Sequence, residues 1–143
     1  TMKQSILVLV LMIVWACGPE NTTPIVPSAS LVDSQLDTTQ AQLLKRGMFV
    51  GLDGPTSGRA SLYEQSGTKY VLLDPFMSHA GPDLYVYISK DADAGDYIRL
   101  GKLRAVTGRQ VYAIPGNPTV TDYHFVHIWC QAYSVDFARA EVK

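Results

Sequence analysis

The chain has almost nothing with which to cross-link itself. Two cysteines, Cys17 and Cys130, occur in 143 residues, too few for the disulfide framework that holds many small exported domains together. A long apolar run is missing as well. The most hydrophobic stretch, residues 6–16, is eleven residues long, whereas a spanning helix needs roughly 20. Acidic and basic residues nearly cancel, 13 against 12, and no basic stripe interleaved with aromatics occurs. That excludes the electrostatic footprint of a nucleic-acid partner. Cys-x-x-Cys-His is absent, which rules out covalent attachment of c-type haem. Gly-x-Ser-x-Gly, His-Glu-x-x-His and Walker patterns are absent too, so no familiar motif marks a nucleophile, a zinc site or a phosphate loop.

What is present begins with an address. Met2-Lys3-Gln4-Ser5 and the apolar run behind it read as a signal peptide over residues 1–16. The run ends in Val14-Trp15-Ala16-Cys17, which resembles the bacterial lipobox apart from Trp15, where a small residue is usual. The resemblance implies acylation of Cys17 and an exported protein held by lipid in the bacterial cell envelope, on its periplasmic or surface side. Residues 17–41, rich in Pro, Thr and Ser without periodicity, are expected to form a lipid-anchored linker. A short helix over residues 36–45 is expected near its end, capped by Asp37 or Thr38.

From Gly47 the pattern changes to short strand-like runs at near ten-residue spacing, punctuated by Asp53-Gly54-Pro55, Ser66-Gly67, Asp74-Pro75 and Pro115-Gly116-Asn117-Pro118. Residues 84–89 alternate Leu84, Val86 and Ile88 against Tyr85, Tyr87 and Ser89. Residues 123–137 form the longest aromatic and β-branched run, with Val126, Ile128, Cys130 and Ala132 on one face. The spacing predicts an all-β domain over residues 42–143. Its fold class is an antiparallel β-sandwich or partly open barrel of about seven or eight short strands.

The residues that could carry chemistry are scattered. His124 and His127 are three apart and would point to opposite faces of a strand, and His79 falls in a loop, so no local metal chelate is expected. Arg99, Lys102, Arg104 and Arg109 face an acidic run at Asp91, Asp93 and Asp96, a pattern expected of a solvated surface with local pairing. With Cys17 given to lipid, Cys130 is the one thiol left free. Strand parity turns it inward, where cysteine serves as a small hydrophobe; a reactive thiol would instead need access and a lowered pKa.

A set of motifs in fixed order resembles the DM-thirteen domain. They are Gly81-Pro82-Asp83-Leu84-Tyr85-Val86-Tyr87, Leu100-Gly101-Lys102-Leu103, Gly108-x-Gln110-x-Tyr112-x-x-Pro115, Val126-x-Ile128-Trp129-Cys130 and Val135-x-Phe137-x-x-Ala140. That family is described as an electron-transfer module and occurs in bacterial lipoproteins. The resemblance implies a redox role for Cys130, as a bare thiol or, with Trp129, as a site for a prosthetic group such as haem. It also implies a redox partner in or near the envelope. Gly81, Pro82 and Asp83 are expected to shape a turn, with Asp83 capping it. Members often carry a His a few residues before the Gly at 58, where this chain has Gly54-Pro55-Thr56-Ser57. The competing reading is a non-catalytic binding or adhesion module in which Cys130 is only packed.

Overall fold

A computed structural model describes residue 33 and residues 35–143. The signal peptide, Cys17 and most of the expected linker lie outside the described residues. Eight strands follow one another: β1 (Gln42–Gly51), β2 (Thr56–Gln65), β3 (Thr68–Ser78), β4 (Leu84–Ser89), β5 (Tyr97–Lys102), β6 (Gln110–Ala113), β7 (Phe125–Cys130) and β8 (Val135–Glu141). All pair antiparallel in one sheet of order β5-β4-β7-β8-β1-β2-β3-β6. The sheet curls into a nearly closed barrel, as the strand spacing predicts. A single 3₁₀ turn, Val120–Asp122, precedes β7.

Alternation sorts the side chains. Val126, Ile128 and Cys130 of β7 join Leu84, Val86 and Ile88 of β4, Val71 and Leu73 of β3, and Ala138 and Ala140 of β8 in one interior cluster. Each large aliphatic side chain buried there contributes about 1.5–3 kcal/mol. Ala132 is not among them. β7 stops at Cys130, and residues 131–134 make an exposed turn in which Ser134 takes φ 53°. The tightest hairpin is β2–β3, where Gln65 pairs with Thr68 and Ser66 and Gly67 both have positive φ. That geometry suits a two-residue connection between twisted strands.

The edge strands β5 and β6 do not share a ladder. Side chains bridge the seam instead. The Gln110 carboxamide accepts from the Arg104 and Ala105 amides and from the Tyr112 hydroxyl, and its own amide donates to the Ala105 carbonyl at 2.7 Å.

Residues 36–45 depart from the expected helix. Asp37 does cap a turn, accepting from the Thr39 amide and hydroxyl. The turn closes through Gln40 and Ala41 amides on the Asp37 carbonyl and goes no further, because β1 begins at Gln42 and pairs with β2 around a bulge at Leu43/Lys45. Tertiary pairing overrides the local helical preference. Leu36, 4% exposed, packs with Tyr70, Leu72 and Val111 on the outside of β3 and β6. The chain just before β1 is therefore fastened to the barrel. Leu36→Ala is expected to lower stability by about 2 kcal/mol, the low end for a buried leucine. Leu43→Ala, at an exposed position, should cost far less; denaturant midpoints of the two variants check the contrast.

Candidate functional site

Several of the motifs that mark the sequence meet at one end of the barrel. Cys130 closes β7 and faces the interior, fully buried. Directly across the ladder, its partner is Leu84, and residues so paired on one face have Cβ atoms about 4.5–5.5 Å apart. Leu84 in turn lines a cleft of about 360 Å³ together with Gly81, Pro82, Asp83 and residues 102–106. A Cβ placed on Gly81 would lie 2.7 Å from the Phe137 ring and 2.8 Å from Leu84. Glycine is required there by close packing, since Gly81 is not among the residues with positive φ. The ring of His79 stacks on Phe137 at 4.4 Å. His79 also fills the space over Gly54, so an imidazole does sit beside the 54–57 segment, supplied by the chain after β3.

Asp83 differs from its expected capping role. Its carboxylate pairs with Lys102 at 3.1 Å, and its carbonyl accepts from the Gln131 amide. The hydrogen bond to Asp83 is the main reason the Lys102 ammonium is held above the usual lysine range. Arg104 and Arg109 of the same basic group also find partners away from the Asp91–Asp96 run: Arg104 binds Asp33 and Arg109 lies 3.9 Å from Asp74.

Trp129 does not join Cys130. Adjacent strand residues point to opposite faces, and Trp129 belongs to an outer layer. Tyr87 stacks on Tyr97 at 4.4 Å and lies 6.0 Å from Trp129. Arg99 sits 4.5 Å over the Tyr85 ring and donates to the Tyr87 hydroxyl and the Gln131 carboxamide. Burial is the main cause that raises the Tyr87 phenol above the ordinary tyrosine range. This layer covers the outward face of β4, β5 and β7.

Beneath it lies a constellation the sequence does not mark. His127, fully buried on that outward face, is 2.7 Å from Asp136 through Nδ1 and 2.6 Å from the Ser89 hydroxyl through Nε2. The three residues have the order of a hydrolytic triad. Hydrogen-bond accounting assigns them another role. The Ser89 hydroxyl lies 2.6 Å from the Asp91 carbonyl, which can only accept, so its one proton points there. Oγ must then accept from Nε2, while Nδ1 shares a hydrogen bond with Asp136. An Nε2 that donates to Oγ cannot take a proton from serine. The Asp91 loop seals the site: its carboxylate accepts from the amides of Gly95, Asp96 and Asp93, a set that holds it below the usual range, with Gly95 the largest cause. Arg139 pins the same loop through the Ala92 carbonyl. Ser89 and Asp136 lie 38 and 9 residues from His127. The one hint in the sequence is polar residues at outward positions between aromatics, and only strand pairing reveals that they meet.

A family model described as Electron transfer DM13 matches residues 48–142. The chain belongs to the DM13 family. No curated protein and no solved structure gives a significant match. Membership suggests an electron-transfer module and hints at an unspecified redox partner. A prosthetic group on the DM13 cysteine would need an open pocket of roughly 300–1,000 Å³ at the sulfur. Cys130 is fully buried, and three surface clefts of about 380, 360 and 410 Å³ do not have it in their lining. Cys130 and Trp129 face opposite ways, and among the described residues no group of three His, Cys, Asp or Glu side chains is placed to hold a metal ion. Haem does not fit these residues as arranged. For the buried trio, Asp136→Ala would strip the imidazole of its carboxylate in a dry site and is expected to cost about 3 kcal/mol. A fluorophosphonate should leave Ser89 of the native protein unlabelled; fast labelling would restore the hydrolytic reading.

Proposed function

We propose that this DM13 chain is a lipid-anchored module of the bacterial cell envelope that exchanges electrons with a partner through the bare thiol of Cys130. The observation that carries the reading is the Leu84–Cys130 pair. One 7%-exposed leucine stands between the only free thiol among the described residues and a cleft formed by the Gly81-Pro82-Asp83 turn. Acylation of Cys17 supplies the membrane attachment and removes the only other cysteine. A lone thiol passes two electrons by exchange: the Cys130 thiolate opens a partner's disulfide to give a mixed disulfide and one partner thiolate. A dithiol of a second protein attacks the Cys130 sulfur and frees the first partner as a dithiol. The remaining thiol of the second protein then releases the Cys130 thiolate as its own disulfide closes. Access would come from displacement of Leu84 and Phe137 at the barrel end, a small opening compared with global unfolding. The full burial of Cys130 favours the competing reading, a binding module with a packed cysteine, and access is where the two part.

Leu84→Ala removes the plug. Native Cys130 in that variant is expected to react with a thiol reagent at least tenfold faster than in the parent chain. Ile88→Ala, in the same interior cluster but away from the cleft, should destabilise comparably without speeding the reaction at matched stability. Equal rates in the two variants would mean that labelling follows general loosening, and the thiol role would fall.

A further inference from the structure

The outer wall of the barrel has three sectors, and two of them are covered. Leu36 and its neighbours lie over β3 and β6; the aromatic layer lies over β4, β5 and β7. Along β1 nothing among the described residues covers the outward side chains. Met48, Val50 and Leu52 alternate there with 60%, 61% and 47% of their surface exposed, and Met77 of β3 adds 52%. The register joins them: Met48 is opposite Arg59, and Met77 is opposite Ser57, two residues along the same strand. Isolated apolar residues on a surface are ordinary, but a contiguous stripe with a polar rim marks an interaction face.

At the Met48 end the rim is cationic, while Asp53 is exposed beyond Leu52. Arg46 and Arg59, with Gly47 and Met48, line a cleft of about 380 Å³. Among the described residues neither guanidinium has a hydrogen-bond or ion-pair partner, whereas Arg99, Arg104, Arg109 and Arg139 all do. Two unpaired guanidiniums beside an apolar stripe match one chemistry, that of a phosphate group joined to hydrocarbon.

We propose that this face rests on an anionic phospholipid surface, with lipid phosphates held at Arg46 and Arg59 and Met48, Val50, Leu52 and Met77 dipping into the interface. The arrangement is the strand counterpart of an interfacial amphipathic helix, which combines buried apolar area with attraction to anionic lipids. The chain outside the structure favours this occupant over a protein partner. The apolar residues 6–16 come before the domain, and β1, which carries the stripe, is the first strand after them. About 16 residues separate Cys17 from Asp33, which Arg104 and Arg109 hold to the barrel, at most roughly 55 Å when extended. A tether of that length permits contact in any orientation, and the arginines select one. The proposal is independent of Cys130, so its failure leaves the electron-transfer reading untouched.

Met48 and Met77 serve as natural reporters because peroxide oxidises exposed methionine. The full chain is incorporated into vesicles of phosphatidylglycerol or of phosphatidylcholine, and methionine oxidation is followed by mass spectrometry. On phosphatidylglycerol both methionines are expected to oxidise at least threefold more slowly than on phosphatidylcholine. Arg46→Glu with Arg59→Glu should abolish that difference while leaving the melting temperature nearly unchanged, since both side chains are exposed. Equal oxidation on the two vesicles, protection that survives the double charge reversal, or failure to float with phosphatidylglycerol vesicles would overturn the proposal. Protection of the same size from glycerol phosphate alone would also overturn it, since the cleft would then take a free anion and need no membrane.

Discussion

One short contact decides whether this chain makes one sheet or two. β5-β4-β7-β8 and β1-β2-β3-β6 are each held by hairpin and neighbour pairings, and the one strand ladder that joins them is β1 beside β8, through Phe49↔Ala140, Val50↔Arg139 and Gly51↔Ala138. The approach is very close. A Cβ on Gly47 would collide with the Glu141 carbonyl. Past the ladder, the Arg46 and Lys143 amides each donate to the other residue's carbonyl. First and last strands so joined curl the sheet on itself, bring the interior faces of both halves together and set the β7 end of the barrel beside Phe137.

Fold class was legible in the sequence because it rests on local signals. Period-2 runs such as Leu84-x-Val86-x-Ile88 need only a core to face, and Ser66-Gly67 needs only its own backbone. What the sequence concealed was set by partners far along the chain. Residues 36–45 read as helical because Asp37 is a good cap and leucines follow, yet the β2 edge claims them for a strand. Ala132 read as inward, but the strand stops two residues before it. Gly81 read as a turn glycine, and its actual constraint is the Phe137 ring, 56 residues away in sequence.

The candidate site was legible to the same degree. Parity put Cys130 inside, and the motif order pointed to residues 81–84, but no local pattern tells which side chain stands opposite a strand end. His127 shows the limit more sharply. On an outward face it should have met water; instead the aromatic layer and the Asp91 loop bury it with Ser89 and Asp136, and their protons are arranged for holding, not for transfer. The chain thus keeps its polar chemistry locked on the outside of one wall and its single described thiol inside, one leucine from a cleft. An electron-transfer module built this way would open at the barrel end while the β1–β8 closure stays intact.

That distinction can be measured on the native chain. The rate at which oxidised glutathione forms a mixed disulfide with Cys130 is compared, under the same conditions, with the global opening rate given by hydrogen exchange of the slowest interior amides. The expected result is modification clearly faster than global opening and reversible by added thiol, so that Cys130 is reached by a local event. Modification no faster than global opening would contradict it, and Cys130 would then be a core residue and nothing more.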